Sequence, residues 1–251
     1  MNRLKLTTFD VTGTLLKFRI PPAIQYVQVG EHFGVQTEPK AMVSNFRTNW
    51  LKMNAQHPNF GKNSGLGWVR WWHQLVCQTF QDSVHPNKID SGTLAAIADD
   101  LLRSYETAEN YKLYPGAEDI LLTLQSRGIP IGIISNFDER LPLILDDMGL
   151  TKYFRFILTS YEAGFEKPNP GIFNYALRKF GNMTITPKHI LHIGDKPDLD
   201  YIAARRMGWN AVLVHQEEPE DVLEQYPEIK PDSIFQNLKE LQDHIQSLYQ
   251  K

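Results

Sequence analysis

Five short runs rich in β-branched and aromatic residues, separated by helical patterns, constrain the fold more than any other feature of this chain. Each run ends in polar or glycine residues, and the runs are Leu4–Phe9, Ile129–Ile134, Phe154–Thr159, Ile190–Ile193 and Ala211–Val214. Short β-rich runs that alternate with helical patterns are typical of buried strands in a parallel sheet. The alternation therefore predicts an α/β fold with a Rossmann-like, doubly wound parallel sheet.

Helix start and stop residues support this alternation. Apolar residues share one face of Glu118–Arg127, and Gly128 follows at the position where a left-handed residue often ends a helix. Asn169 and Pro170 match an N-cap and a first-turn proline. A last amphipathic helix is predicted near residues 238–248.

A segment with a different sequence pattern, from about residue 17 to residue 112, interrupts the strand–helix alternation. It lacks convincing strands and predicts four helices near residues 21–33, 38–55, 65–81 and 91–107. We therefore expect an α/β core of residues 1–16 and 113–251, with a helical cap domain of residues 17–112 inserted after the first strand. The aromatic residues Trp68, Trp71 and Trp72 are expected to pack within this insert or at its seam rather than to form a ligand platform.

Composition excludes several classes of function. The 251 residues are 42% hydrophobic with a formal net charge of −3, so we expect no nucleic-acid or membrane partner. The single cysteine, Cys77, excludes an internal disulfide and is expected to be a buried helix residue. No signal-peptide core or bilayer-spanning apolar run is visible. These features favour a soluble intracellular protein, with the cytoplasm as the expected compartment.

The residues that follow the predicted strands carry the chemistry. In an open parallel sheet, ligands bind beyond the carboxyl ends of the strands. Those ends hold the segments Asp10-Val11-Thr12-Gly13-Thr14, Ser135-Asn136, Glu166-Lys167-Pro168 and Gly194-Asp195. A carboxylate, a hydroxyl, an ammonium and a second carboxylate would therefore converge on one crevice. Two carboxylates with a free face suit a hard divalent cation such as Mg²⁺.

These four segments, in this order and each at a strand end, resemble the motifs of the haloacid dehalogenase superfamily. The position of the helical insert resembles the first cap class of that superfamily. More narrowly, Phe9-Asp10-Val11, Ile134-Ser135-Asn136-Phe137-Asp138 and Trp71-Trp72 are similar to the subgroup of haloacid-dehalogenase-like hydrolase domain-containing protein 3 and rhythmically expressed gene 2 protein. The resemblance covers essentially the whole chain and implies a Mg²⁺-dependent hydrolase.

The resemblance also implies roles for three aspartates, Asp10, Asp195 and Asp200. Asp10 would be the nucleophile that takes up the phosphoryl group, and it would also bind Mg²⁺. Asp195 would be the second side-chain ligand of the metal, and the backbone carbonyl of Thr12 would be a further ligand. Asp200 would orient the metal ligands from behind. The plain alternative for Asp10 is a turn or cap residue at the end of a strand.

The remaining motif residues would hold the substrate. The resemblance implies that Ser135 and Asn136, together with the Gly13-Thr14 segment, bind the transferring phosphoryl group. Lys167 would pair with the same group and with the nucleophile, stabilising charge in the transition state. An ST-turn for Ser135 and a solvated loop position for Lys167 are the alternatives.

Thr12 departs from the pattern of the phosphatases in this superfamily. The second residue after the nucleophile is usually an aspartate there, which protonates the leaving oxygen and later activates water. A threonine hydroxyl cannot serve as an acid or base near pH 7, and a positioned acid–base group typically contributes about 10²–10⁴ in rate. Thr12 also resembles the motif of the cation-pumping ATPases, whose aspartyl-phosphate must persist. Efficient hydrolysis is therefore in doubt, whereas phosphate and Mg²⁺ binding are not affected.

Three functions remain open at this point. The first is a Mg²⁺-dependent phosphatase or phosphotransferase acting on a small phosphorylated metabolite. The second is a catalytically impaired protein of the same fold that binds a phosphometabolite or a protein partner. The third is a metal-independent dehalogenase, against which the acidic Asp195 argues. His192, inside the fourth run, is expected to be a satisfied core histidine rather than a base.

Overall fold

The structure is a computed structural model, and it describes residues 4–84, 89–215 and 218–248. The predicted domain limits at residues 1 and 251 lie outside these ranges. The chain divides into two compact units. The sheet unit consists of Met1–Lys17, Leu113–Asn136 and Gly149–Lys251, and the helical unit consists of Phe18–Lys112 and Phe137–Met148.

The strands form a six-stranded parallel sheet and a small two-stranded sheet. In chain order they are β1 (Leu6–Phe9), β2 (Leu16–Phe18), β3 (Tyr111–Leu113), β4 (Ile131–Ser135), β5 (Phe156–Thr159), β6 (Ile190–Gly194), β7 (Asn210–Val214) and β8 (Ile234–Phe235). The large sheet has the order β5-β4-β1-β6-β7-β8, and every pair in it is parallel. The predicted α/β parallel-sheet fold is confirmed. Because β1 lies between β4 and β6, the three strand ends that precede the main motifs are neighbours.

The helices connect these strands or build the helical unit. They are α1 (Pro22–His32), α2 (Pro39–Gln56), α3 (Trp68–Ser83), α4 (Ser91–Ser104), α5 (Ala117–Ser126), α6 (Leu141–Asp147), α7 (Ser160–Ala163), α8 (Pro170–Phe180), α9 (Ala203–Arg206), α10 (Pro219–Gln225) and α11 (Leu238–Leu248). Helix α8 begins as its sequence predicts, because the side chain of Asn169 accepts a hydrogen bond from the amide of Gly171 at 2.8 Å. In the described part of the chain, no helix has the length and apolarity needed to span a bilayer.

Each unit has its own hydrophobic core. In the sheet unit, apolar residues of the strands and of the flanking helices form one cluster, which includes Ile134, Leu213, Phe173 and Trp209. In the helical unit, helices α1 to α4 pack on one another around Tyr26, Met42, Phe80 and Ile97. The tryptophans of α3 also pack inside this unit, since Trp71 is fully buried and its ring lies 5.1 Å from those of Trp50 and Trp72.

The helical unit contains a segment that the sequence assigns to the core. Residues Phe137–Met148, which include α6, follow β4 in the chain but belong to the compact unit of Phe18–Lys112. Hydrogen bonds explain the assignment, because Trp72 donates to Asp138 at 2.7 Å and the amide of Ala108 donates to Asp147 at 2.7 Å. The role of the helical unit as a cap stays a prediction.

Candidate active site

The loop after β1 brings Asp10 to the carboxyl edge of the sheet, between the ends of β4 and β6. The Asp10 amide donates a hydrogen bond to the carbonyl oxygen of Ile193 at 2.9 Å, so the β1–β6 pairing continues for one residue beyond the strand. The Asp10 side chain is 11% exposed. This carboxylate is therefore held by the sheet and is still accessible from outside.

Lys167 places an ammonium group between two carboxylates. Its Nζ atom lies 2.9 Å from Oδ1 of Asp10 and 2.5 Å from Oδ1 of Asp200, and its side chain is only 2% exposed. Burial alone would lower the pKa of Lys167, but the negative charges of Asp10 and Asp200 raise that pKa above its ordinary value. The structure therefore fixes a permanent positive charge beside the predicted nucleophile.

The loop after β4 positions the backbone of Lys167. The Asn136 side chain accepts a hydrogen bond from the Lys167 amide at 2.7 Å and donates one to the Lys167 carbonyl at 3.0 Å. Both ends of the Asn136 amide are thus engaged by the backbone of Lys167, the residue that precedes the cis proline Pro168. These two hydrogen bonds indicate that Asn136 positions Lys167. Ser135, the last residue of β4, is buried beside it.

Asp200 is held behind the site by three donors. Its Oδ1 atom accepts from Lys167 and lies 3.2 Å from Nε2 of His192, and its Oδ2 atom accepts from the Lys196 amide at 2.9 Å. Burial alone would raise the pKa of Asp200, but Lys167 and His192 hold that pKa below its usual range. A glycine is required at position 194, because a Cβ there would lie 2.1 Å from the carboxyl carbon of Asp200.

Asp195 directly follows β6. Its Oδ2 atom contacts Lys196 Nζ at 2.9 Å, and its Oδ1 atom accepts from the hydroxyl of Thr14 at 3.4 Å. Burial, followed by the charge of Asp10, raises the pKa of the Asp195 carboxyl. Two carboxylates that repel each other in this way form a position that favours a cation.

The Gly13-Thr14 segment lies against Asp195. Gly13 has a φ of +90°, and a Cβ at this position would lie 2.5 Å from Oδ2 of Asp195. Both its backbone conformation and the close approach therefore require a glycine. Thr14 is fully buried and its hydroxyl is engaged by Asp195. This contact supports a role for Thr14 in orienting Asp195, and its role in substrate binding stays a prediction.

Thr12 occupies the loop between Asp10 and Gly13, where it forms an isolated backbone bridge with Leu16. Within the described residues its hydroxyl is buried and makes no hydrogen bond. The role of its backbone carbonyl as a metal ligand stays a prediction.

The donor atoms of this edge fit a hard divalent cation. One carboxylate oxygen each from Asp10, Asp195 and Asp200 lie within 4.8 Å of one another. Oxygen ligands at this spacing suit Mg²⁺, which keeps part of its water shell when it binds to one or two carboxylates. Because the Asp200 side chain is only 1% exposed, whereas those of Asp10 and Asp195 are each 11% exposed, Asp10 and Asp195 are the better candidates for direct ligands.

Known proteins resemble this chain in sequence and in fold. The haloacid dehalogenase-like hydrolase family model matches residues 4–208 of this chain. The rhythmically expressed gene 2 protein of Drosophila melanogaster is 37% identical to it over 252 residues, which cover 98% of this chain and 96% of that protein. The chain belongs to the haloacid dehalogenase-like hydrolase family. The resemblance that its motifs indicated is confirmed.

Other members of the haloacid dehalogenase-like hydrolase family agree with this assignment. Human haloacid dehalogenase-like hydrolase domain-containing protein 3 is 35% identical, over 84% of this chain and 82% of that protein. A haloacid dehalogenase-type phosphatase from Thermococcus onnurineus has a TM-score of 0.65 at 20% identity, covering 96% of this chain and 98% of its own. A 2-haloacid dehalogenase from Pseudomonas syringae has a TM-score of 0.66 at 21% identity, covering 98% and 99%. At these identities, the two solved structures show the shared fold alone.

In this member of the haloacid dehalogenase-like hydrolase family, two residues of the site were not predicted from the sequence. Lys196 contacts the Asp195 carboxylate, and His192 contacts Asp200. The sequence holds a signal for His192, since a histidine that faces the motif residues from within a buried strand needs polar partners. Lys196 carries no such signal, because a lysine after a strand is more often solvated.

Proposed function

We propose that this protein is a Mg²⁺-dependent phosphatase or phosphotransferase that acts on a small phosphorylated metabolite through an aspartyl-phosphate at Asp10. One observation carries the proposal, which is the buried Lys167 ammonium 2.9 Å from the Asp10 carboxylate. A carboxylate that is accessible and fixed beside a permanent positive charge can attack phosphorus, because the cation offsets the negative charge that accumulates during attack.

The chemistry divides into two displacements at phosphorus. In the first, an oxygen of Asp10 attacks phosphorus, the bond from phosphorus to the leaving oxygen breaks, and the leaving group takes a proton from solvent. In the second, water attacks the same phosphorus, the bond to the Asp10 oxygen breaks, and the proton of water passes to solvent. Lys167 stabilises the extra negative charge in both steps, and Asn136 holds Lys167 in place through its backbone.

Mg²⁺ fits this proposal as the cofactor. When bound, Mg²⁺ would add positive charge at the phosphoryl oxygens and reduce their repulsion with Asp10. Asp10, Asp195 and the Thr12 carbonyl are the proposed ligands, and Asp200 is proposed to orient them through Lys167 and the Lys196 amide. Ser135 and the Gly13 backbone are the proposed contacts for the transferring group.

Thr12 makes the second displacement the slow one in this proposal. Its buried hydroxyl cannot deprotonate water near pH 7, and a positioned base contributes about 10²–10⁴ in rate. An activated substrate such as an acyl phosphate needs little protonation of its leaving group. The rate of Asp10 phosphorylation is therefore lowered less than the rate of the second displacement. The covalent intermediate should therefore accumulate.

Acid-quench trapping with labelled acetyl phosphate tests the proposal. We expect hydroxylamine-labile label on the wild-type protein with Mg²⁺, and none on Asp10→Asn or in EDTA. Thr12→Asp should shorten the lifetime of the labelled species by about 10²–10⁴-fold and raise turnover. Absence of label on the wild type, with no gain of turnover from Thr12→Asp, would contradict the enzyme proposal.

The second candidate function is a catalytically impaired protein that binds a phosphometabolite or a protein partner. The unpartnered Thr12 hydroxyl in the place of an acid favours it. Binding of phosphate with Mg²⁺ in calorimetry, without trapped label, is the result that this candidate predicts. A dehalogenase would instead release halide from a 2-haloacid in EDTA.

A further inference from the structure

His192 is a fully buried ring in the middle of the parallel sheet. It lies on β6, the strand next to β1, and its exposed fraction is 0%. Its Nε2 atom is 3.2 Å from Oδ1 of Asp200, and its Nδ1 atom is 2.8 Å from the hydroxyl oxygen of Thr8. The ring also packs nearly perpendicular to that of Phe173, with 5.7 Å between ring centroids. Both ring nitrogens are thus engaged inside the core.

The partners determine which nitrogen carries the proton. Asp200 accepts hydrogen bonds from Lys167 and from the Lys196 amide and stands as a carboxylate, so Nε2 must donate to it. Nδ1 is then an acceptor, and the Thr8 hydroxyl donates to it at 2.8 Å in preference to the Leu191 carbonyl at 3.5 Å. Burial lowers the pKa of His192, which is consistent with a neutral ring. One neutral tautomer satisfies all of these contacts.

The ring completes a chain of contacts that ends at the predicted nucleophile. Thr8 holds His192, His192 holds Asp200, and Asp200 shares its Oδ1 atom with Lys167. Lys167 in turn lies 2.9 Å from Asp10. Without the N–H group at Nε2, Asp200 would lose one of its hydrogen bonds, and its carboxylate could rotate away from Lys167. Second-layer partners of this kind orient the groups that react.

We propose that His192 is a positioning residue, which fixes Asp200 through Nε2 so that the Lys167 ammonium stays beside Asp10. This inference rests on the proposed function, and it gives His192 a role that ordinary core packing does not require. A ring that only filled space could be replaced by an apolar side chain of similar size without a specific effect on the chemical step.

Three variants test the positioning role with acetyl phosphate as the substrate. His192→Met keeps much of the volume and removes the donor, so kcat should fall about 10–100-fold while KM stays nearly constant. His192→Gln offers an amide N–H at the reach of Nε2 and should recover most of kcat. Thr8→Val removes the donor to Nδ1 but keeps the ring, and a smaller fall in kcat is expected. Thermal unfolding of each variant separates folding from catalysis.

The tautomer gives a second measurement that does not depend on turnover. Long-range ¹H–¹⁵N correlation spectra of the imidazole rings should show His192 neutral with its proton on Nε2. A proton on Nδ1, wild-type kcat in His192→Met, or a loss that His192→Gln fails to recover would each overturn the positioning role. A wild-type protein without turnover or label would be a failure of the proposed function itself, and it is recognised because the unmodified chain is then inactive.

Discussion

Each unit of this protein buries an ion pair, and the two pairs differ in how completely their charges are matched. In the helical unit, Arg140 pairs with Asp138, and the two side chains are 4% and 1% exposed. In the sheet unit, the ammonium of Lys167 stands between Asp10 and Asp200. The first pair has one cation and one anion, whereas the second has one deeply buried cation and two anions.

The pair in the helical unit is saturated. The two oxygens of Asp138 accept from the amide, Nε and Nη2 of Arg140 at 3.1, 2.9 and 2.7 Å, and from the indole of Trp72 at 2.7 Å. The guanidinium group also lies over the rings of Trp68 and Trp72. Every strong acceptor site is filled by the protein itself, so this arrangement serves to hold Phe137–Met148 in its unit.

The cluster in the sheet unit is not balanced in this way. Asp195 adds a third carboxylate within 4.8 Å of the other two, and its partner Lys196 is 61% exposed. Buried carboxylates without enough cations beside them destabilise the folded protein unless a bound cation or a reacting group balances their charge. Buried charge alone therefore does not indicate a reactive site in this protein, whereas unmatched buried charge does.

The largest expected effect is on stability, from Arg140→Met. Removing the guanidinium leaves the fully buried Asp138 carboxylate without its counter-ion, which should lower the free energy of unfolding by about 3–5 kcal/mol. Urea titration measures the change. The control is Lys179→Met, which breaks a partly exposed contact with Glu162 at 2.5 Å and should cost only about 0–1 kcal/mol. Equal losses of unfolding free energy in both variants would contradict the view that the buried pair of Arg140 and Asp138 stabilises the fold more than a partly exposed one.

The next effect is on catalysis, from Lys167→Met. Loss of the ammonium removes the charge that faces the transition state, so kcat/KM should fall about 10²–10³-fold. Stability should fall as well, because the buried Asp200 carboxylate loses its counter-ion and keeps only the hydrogen bonds from His192 and the Lys196 amide. Turnover of acetyl phosphate and urea unfolding are measured on the same samples. A variant that loses stability but keeps its kcat/KM would place Lys167 with the structural pair.

The smallest effect comes from Trp72→Phe, which keeps an aromatic ring and removes one donor to Asp138. A hydrogen bond to a buried charge contributes about 1.5–3 kcal/mol, and unfolding free energy should fall by that amount. Trp68→Phe is the matched control, since it removes an indole hydrogen bond of 2.8 Å to Glu139 in an exposed setting. A larger loss in Trp68→Phe would contradict the view that burial gives the Asp138 contact its strength.

Local patterns were sufficient to predict most of the sheet. The runs before Asp10, Ser135 and Asp195 are strands within two residues of the predicted bounds, because a buried parallel strand has a clear composition. Strand β8, of two residues, and the short strands β2 and β3 were not predicted, since a run of two or three residues has no periodicity.

The site was predictable to the level of strand ends but not of individual contacts. Lys167 follows α7 rather than the end of β5. Topology alone brings Asp10 and Asp195 to one edge of a parallel sheet. It does not show that Asn136 binds the Lys167 backbone or that Thr14 contacts Asp195, because those contacts depend on loop conformation. For the same reason, the membership of residues 137–148 in the helical unit could not be inferred from chain order.

The two-segment composition of the helical unit has a consequence for modular exchange. A transplant of residues 18–112 into a relative would carry Trp72 and leave Asp138 and Arg140 behind in the donor chain. The Trp72 indole would then contact the side chain that the recipient protein has at the position of Asp138. Exchange of this unit between family members, by recombination or by engineering, therefore requires two compatible segments, and one of them begins directly after Asn136.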